Sequence, residues 1–384
     1  MATQKTITPA KRKLIDNSVA IFGDAATSKE SAYMARELVQ CTLPHKNPGD
    51  IPAWSRRNGN LILTIRPGWN SNKQEVYGYP YGTIPRLILF WIVTEAIRTR
   101  SPELELGTSI SGFMEELGLS SYTGRGKRGD AVRLKEQMER LFNSFISFEG
   151  NIERDGRVGT ARINMAVASE SMLWWNPKTP EQLSWGSRVK LGKEFYDAIT
   201  AAPVPVDMRA LKALKKSPLA LDLYAWLTYE SFRAHKNGES RFTSWEKLHS
   251  QMGGDYTNIA DFRRKVKAAL TKIKLVYPGL KLGKTLGGIE VLPESLTALQ
   301  PRTVTIEGTA TRVEVEEPHP PHPFPIPLKT TTIEKFRRFY PRLDPYACQA
   351  DFDTWQAKLE PSKRAKSYDR AFMGFAAGWA VGKG

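Results

Sequence analysis

Cysteine is nearly missing from this chain: Cys41 and Cys348 stand far apart among 384 residues. That excludes the paired thiols of a zinc ribbon and the even clusters of a secreted disulfide scaffold, and it suits a reducing cytoplasm. Long apolar runs are missing as well. The most apolar stretch, Ile84 to Ile97, is interrupted by Arg86 and Glu95 and falls short of a bilayer span, so no membrane role is expected. Met1 to Lys13 lacks an apolar segment ahead of a small-residue cleavage site and does not read as a secretory signal. Histidine is sparse: His45, His235, His249, His319 and His322 form no apolar-flanked His-x-His near a nucleophilic tyrosine, as a DNA-nicking enzyme needs. No carboxylate pair stands out, so polymerase and nuclease readings lack their residues, and no catalytic residue, cofactor or metal is assigned.

Negative charge is the remaining shortage. Asp and Glu total 40 against 56 Lys and Arg, a formal net charge of +16. An excess of that size calls for a polyanionic partner. An acidic membrane surface would demand a basic amphipathic helix or a lipidation signal, and neither is evident, so nucleic acid is favoured.

The order of elements points the same way. Residues 1–60, mixed and dotted with proline, read as an N-terminal arm. Leu61 to Arg66 reads as a strand and Glu75 to Tyr79 as its returning partner across the Pro67-Gly68 turn. From Ile84 a helix apolar on most faces begins, with Pro85 suited to its first turn. Ser109 to Leu117 is a short helix stopped by Gly118, Ser120 to Gly129 a loop, and Asp130 to about Phe145 a longer helix. Phe145 to Phe148 and Thr160 to Val167 then read as a hairpin. Short helix, turn, long helix and hairpin is the order of a winged helix-turn-helix.

That order returns downstream: a capped short helix after Ser244, a long helix from about Asn258 to Val276, and a hairpin from Leu280 to Leu292 turning at Gly287-Gly288. The expectation is an α+β fold with two tandem winged-helix domains, at 61–186 and 187–297. A proline-rich linker at 298–329 and a small, aromatic-rich helical module at 330–384 follow.

Candidate contact residues sit on the long helices and their neighbours. In the second half Phe262, Val266, Ala269, Leu270 and Ile273 share one side at roughly 100° per residue, leaving Arg263, Arg264, Lys267, Thr271 and Lys274 opposite, where they suit a major groove. Lys281 and Lys284 sit in the hairpin, placed for phosphate contact. In the first half Arg133 and Arg140 share a face with Glu136 and Glu139, a mixture that argues against dense base contact. The loop before them offers Arg125, Lys127 and Arg128 among glycines, either as a phosphate cradle or as a solvated loop. Two near-motifs are declined. Gly279 to Thr285 has three residues between its glycines where a phosphate loop needs four, and His319-Pro-Pro-His322 lacks further ligands for zinc.

At Tyr79-Pro80-Tyr81-Gly82-Thr83-Ile84-Pro85-Arg86-Leu87, then Trp91 to Ala96, Ser109 to Leu119 and Thr123 to Asp130, the sequence resembles the plasmid-encoded RepA family of replication initiators across about residues 60–295. The resemblance implies two winged helices that bind repeated origin sites, called iterons, in double-stranded DNA. It also implies recruitment of host replication proteins, such as the helicase, its loader or the host initiator, without cutting DNA. A homodimer in equilibrium with monomer, with the dimer repressing its own gene, belongs to the same picture. Here the helix from Ile84 to Ile97 serves either as the dimerisation element or as core. The rival reading is a winged-helix transcriptional repressor with no initiator role.

Overall fold

The computed structural model describes residues 9–23, 26–27, 30–107, 109–120, 129–154, 157–173, 186–299, 328, 330–340, 343, 345–359 and 367–381. It falls into two compact units, Met1–Thr303 and Val304–Gly384. Both follow the same rule, apolar faces turned inward, but among the described residues only the first contains sheets.

The first unit begins with α1 (Pro9–Gly23), β1 (Ser31–Ala35), α2 (Arg36–Gln40), β2 (Trp54–Asn58), β3 (Leu61–Arg66), the ribbon β4 (Trp69–Asn70) and β5 (Glu75–Val76), and α3 (Thr83–Thr99). Next come β6 (Glu103–Glu105), α4 (Ile110–Glu116), α5 (Asp130–Phe142), β7 (Phe145–Arg154), β8 (Arg157–Ala166) and β9 (Ala168–Met172). The second half of the unit holds β10 (Arg188–Leu191), α6 (Lys193–Ala201), β11 (Pro203–Asp207), α7 (Met208–Leu214), α8 (Pro218–Asn237), β12 (Arg241–Ser244), α9 (Trp245–Met252), α10 (Ile259–Val276) and β13 (Gly288–Val291).

Three sequence expectations meet a different arrangement. The segment read as an arm is built into the unit: β1 pairs antiparallel with β11, Ser31 opposite Asp207 and Ala35 opposite Pro203. Proline at 203 and 205 hid β11, yet both share a strand edge with Asp207, whose N–H goes to the Tyr224 hydroxyl at 3.1 Å rather than to β1. Proline sits on the edge that needs no ladder donor. Glu75 does not return to β3, which lies instead between β2 and β7. The hairpin after α5 is therefore one side of a four-stranded antiparallel sheet in the order β2-β3-β7-β8, whereas a wing alone would stand free of other strands.

α3 is the axis of the unit. Every residue from Ile84 to Val93 is buried, as is Ala96, which is what a helix apolar on most faces requires. Its apolar faces are taken up inside the chain, so the core role, and not an open dimer surface, is what the structure gives it. One continuous core runs from Leu63 and Ile65 of β3 through α3 and α5 to α8 and α10, so the two halves share their packing. Cys41 lies in this core, and burial pushes its thiol up to about 12.

The second unit contains α11 (Thr330–Phe339), α12 (Pro345–Ala357) and α13 (Tyr368–Val381), packed around Phe336, Cys348, Phe352, Phe372 and Ala376. This is the helical, aromatic-rich module read from the sequence. Nearly all of the proline-rich linker lies outside the described residues.

Candidate nucleic-acid interface

The second half carries the clearest surface. Ser244 caps α9, its hydroxyl accepting from the Lys247 N–H at 3.2 Å, and Gly253 closes the helix. Asn258 caps α10 in the same way, accepting from the Ala260 N–H at 2.7 Å. Phe262 anchors α10 to the turn, with ring centroids 5.2 Å from His249 and 5.5 Å from Tyr256. Phe262, Val266, Ala269, Ile273 and Val276 are buried, so the opposite face must meet solvent.

That face holds the expected residues. Arg264, Lys267, Thr271 and Lys274 are exposed, and Arg263 is half-buried with its guanidinium carbon 5.4 Å from the Trp245 ring centroid. Arg264 pairs with Asp261 one turn back, and the Thr271 hydroxyl donates to the Lys267 carbonyl at 3.1 Å. Lys267 and Lys274 have no ion pair among the described residues. Counted along α10, six cations face one acid, Asp261.

The hairpin after α10 is irregular. Leu282 bridges Val291, the Gly283 N–H donates to the Glu290 carbonyl at 2.9 Å, and the Leu292 N–H donates to the Lys281 carbonyl at 3.0 Å. On its other edge β13 pairs with β12, Arg241 opposite Val291 and Ser244 opposite Gly288. Lys281 and Lys284 are both exposed on this turn.

The first half places its residues differently. Arg133 is exposed and paired with Asp130 at 3.4 Å. Arg140 is turned inward: it pairs with Glu136, donates to the Tyr79 carbonyl at 3.3 Å and stacks over Tyr81 at 5.2 Å. Gly78, at φ +81°, lies so close that a Cβ there would sit 3.2 Å from an Arg140 Nη1. Arg140 thus fastens the 78–81 segment to α5, a packing task. Arg125, Lys127 and Arg128 lie outside the described residues.

Between the halves is a buried charge network that sequence reasoning missed. Arg86 of α3 spends all five guanidinium N–H groups: on Asp222 Oδ1 (2.7 Å) and Oδ2 (2.8 Å), and on the carbonyls of Pro44 (3.0 Å), Gly82 (2.6 Å) and Leu43 (2.5 Å). His45 Nε2 approaches the same carboxylate at 2.8 Å, which fixes the neutral ring with its proton on Nε2. Among the described residues its Nδ1 has no hydrogen-bond partner, and it lies 3.7 Å from Asp255 Oδ2. Asp255 accepts from the His45 N–H at 3.0 Å and from Arg56 at 3.1 Å. Burial would raise the Asp222 carboxyl, but Arg86 and the bond to His45 outweigh it and hold it well below the ordinary carboxylate range. For His45 burial dominates and lowers its proton affinity from the ordinary 6.5. The signal in the sequence was Arg86 itself, a cation inside an apolar helix, where a charge persists only if fully paired.

Among the described residues no helix is long and apolar enough to cross a membrane, and no group of three or more His, Cys, Asp or Glu is arranged to hold a metal ion. No curated protein matches the chain. Crystal structures of domains 2 and 3 of RctB are distantly similar. One covers 66% of this chain and 94% of its own at 9% identity and TM-score 0.40. A selenomethionine form covers 65% and 93% at 10% identity and TM-score 0.38. The family described as plasmid encoded RepA protein matches residues 79–247, a narrower span than 60–295, running from the segment that Arg140 fastens, through Arg86 and Asp222, into α9. Over those residues the chain is similar to the plasmid-encoded RepA family.

Proposed function

We propose that this protein is a plasmid replication initiator that binds repeated sites in double-stranded origin DNA through two winged helices. The observation that carries the reading is α10: a capped helix with six cations and one acid, its apolar side buried and its charged side open, followed by a turn bearing two more lysines. The match to the plasmid RepA family supplies the origin as the place where such a surface acts. α8, β12, α9, α10 and the 281–291 hairpin make one winged helix, with Arg263, Arg264, Lys267, Thr271 and Lys274 reading the major groove and Lys281 and Lys284 on phosphate. α3, β6, α4, α5 and the β7–β8 hairpin make the other, with Arg133 and the loop cations Arg125, Lys127 and Arg128 on backbone. It acts without strand cleavage: opening follows from crowding and bending several copies on an AT-rich origin, where unstacking costs least.

The C-terminal helical unit docks a host replication protein, with exposed Phe339, Tyr346 and Trp355 as anchors. A monomer–dimer equilibrium, with the dimer repressing its own gene, completes the proposal. The shared core makes α3 unsuited to the dimer contact, because exposing it would open the unit.

Nuclease footprinting on DNA flanking the gene tests this reading. Protection of several direct repeats, weakened steeply by salt as counterions are released, is the expected result. Protection of one inverted repeat alone would favour the repressor, and no preference over random duplex would overturn sequence-specific binding.

A further inference from the structure

The turn between Lys281 and β13 presents an anomaly: Leu286 is 91% exposed, while the residue that holds the turn, Trp245, is 4% exposed. A single leucine in solvent is ordinary on a protein surface. Here the backbone beneath it is pinned. The Trp245 indole N–H donates to the Leu286 carbonyl at 2.8 Å, the Trp245 backbone N–H donates to the Gly287 carbonyl at 3.1 Å, and the Gly287 N–H donates to Thr285 Oγ1 at 3.3 Å. The leucine is thus held out from a rigid tip.

The same indole fixes where that tip lies. Arg263 of α10 stacks on the Trp245 ring whose N–H grips Leu286, so the first turns of α10 and the tip border one side chain and form one surface. The tip is cationic: residues 278–289 contain Lys281 and Lys284 and no acid. Glu290, the nearest carboxylate in sequence, accepts from the Ser240 hydroxyl at 2.9 Å through one oxygen, and its other oxygen lies against Gly283, below the tip. Phe242, 54% exposed, lies beneath the turn, 3.6 Å from where a Cβ on Gly287 would stand. Gly288 passes so close to the Thr243 carbonyl, 2.0 Å from an ideal Cβ, that no side chain fits there. An apolar point on a rigid, lysine-flanked hairpin beside a cationic helix is complementary to a duplex groove, with lysines on the phosphates and the apolar side chain against a base step.

We infer that Leu286 is a wedge that enters the minor groove next to the α10 site and unstacks one base step. This rests on the DNA-binding reading above and adds to it a direct contribution of the protein to strand opening. The step attacked is a flexible pyrimidine–purine step, where unstacking is least costly.

Permanganate oxidation of thymines tests the wedge, on the duplex fragment that the full chain protects from nuclease, with each variant at saturating concentration. The wild-type chain is expected to raise thymine reactivity severalfold at one step per site. Leu286→Ala and Leu286→Lys should remove the rise, the lysine variant doing so while adding a cation, and Leu286→Phe should restore it. Melting temperatures of all three should match wild type, because the side chain supports no core. Equal reactivity in Leu286→Ala, or a bound duplex without any rise, would overturn the wedge alone. A chain that protects no duplex would overturn the DNA-binding reading and the wedge with it.

Discussion

α5 and α10 occupy the same place in the two halves, each a long helix after a short one, and their charges differ in kind. α5 has three cations and three acids, and every cation is paired: Arg133 with Asp130, Lys135 with Glu139, Arg140 with Glu136. α10 has six cations and one acid. A neutral, internally paired helix releases few counterions on meeting a phosphate backbone, whereas α10 carries most of its charge unneutralised. The same order of elements therefore serves two ends. In the proposed function α5 mainly supports and positions, and α10 makes the dense contact with DNA.

The comparison breaks most severely at the network that joins the halves. Asp222→Ala leaves Arg86 buried with an unpaired charge, a change that costs about 3–5 kcal/mol in comparable sites. Denaturant unfolding should show that loss. Asp222 lies on α8 and none of the proposed contact residues is changed, so any DNA affinity lost should return under conditions that stabilise the fold. A loss below about 1 kcal/mol would mean that water reaches Arg86 in place of the carboxylate.

The next largest effect separates the helices directly. Lys267→Ala should weaken binding to the protected repeat by about 1–3 kcal/mol and reduce discrimination against random duplex, if Lys267 reads a base edge. Arg133→Ala on α5 should change affinity by a fraction of that, since its charge is already balanced by Asp130. Equal losses at the two positions, measured by fluorescence anisotropy, would erase the contrast between halves.

Charge and periodicity made much of this legible. The cap at Ser244, the apolar stripe of α10 and the start of α5 at Asp130 follow from local rules that the fold leaves intact, whereas α5 stops at Phe142 and the expected last residue, Phe145, opens β7 instead. What stayed hidden was long-range. β11 reads as non-strand because of Pro203 and Pro205, and only its distant partner β1, with Ser31 opposite Asp207, and the neighbour Tyr224 explain them. His45, Arg56, Asp222 and Asp255 are scattered over the sequence, and nothing local in them predicts a shared site. Arg140 looked like a surface cation because its face also carries Glu136 and Glu139, yet the aromatic Tyr81 and the tight Gly78 draw it inward.

A smaller effect sharpens the role of the hairpin. Replacing Lys281 and Lys284 together by Ala should lower affinity for repeat and random duplex alike, and should reduce the slope of log affinity against log salt by about 2 if each neutralises one phosphate. Loss of discrimination without a change in slope would move base reading from α10 to the hairpin.

The smallest effect reports on the joint between the halves through pH. Because burial lowers His45 below its ordinary 6.5, the unfolded chain binds a proton that the folded chain refuses as pH falls through that value. Stability is therefore complete above about pH 6.5 and declines on acidification toward the folded value, by about 1.4 kcal/mol for each tenfold difference in proton affinity between the states. The structural reason is visible on both sides of the ring. Nε2 already donates to Asp222, while protonating Nδ1 would add a charge within reach of two buried guanidinium groups, Arg86 and Arg56, with Asp255 at 3.7 Å as partial compensation. His45→Gln keeps an N–H donor for Asp222 and removes the titration. Unfolding measured near pH 7 and near pH 5 should show a smaller acid loss in the variant than in wild type, the carboxylates common to both cancelling in the difference. An identical acid loss would mean that His45 binds its proton equally well in the folded and unfolded chains, with Asp255 offsetting the burial, and a larger loss in the variant would mean that acid tightens the joint rather than weakening it.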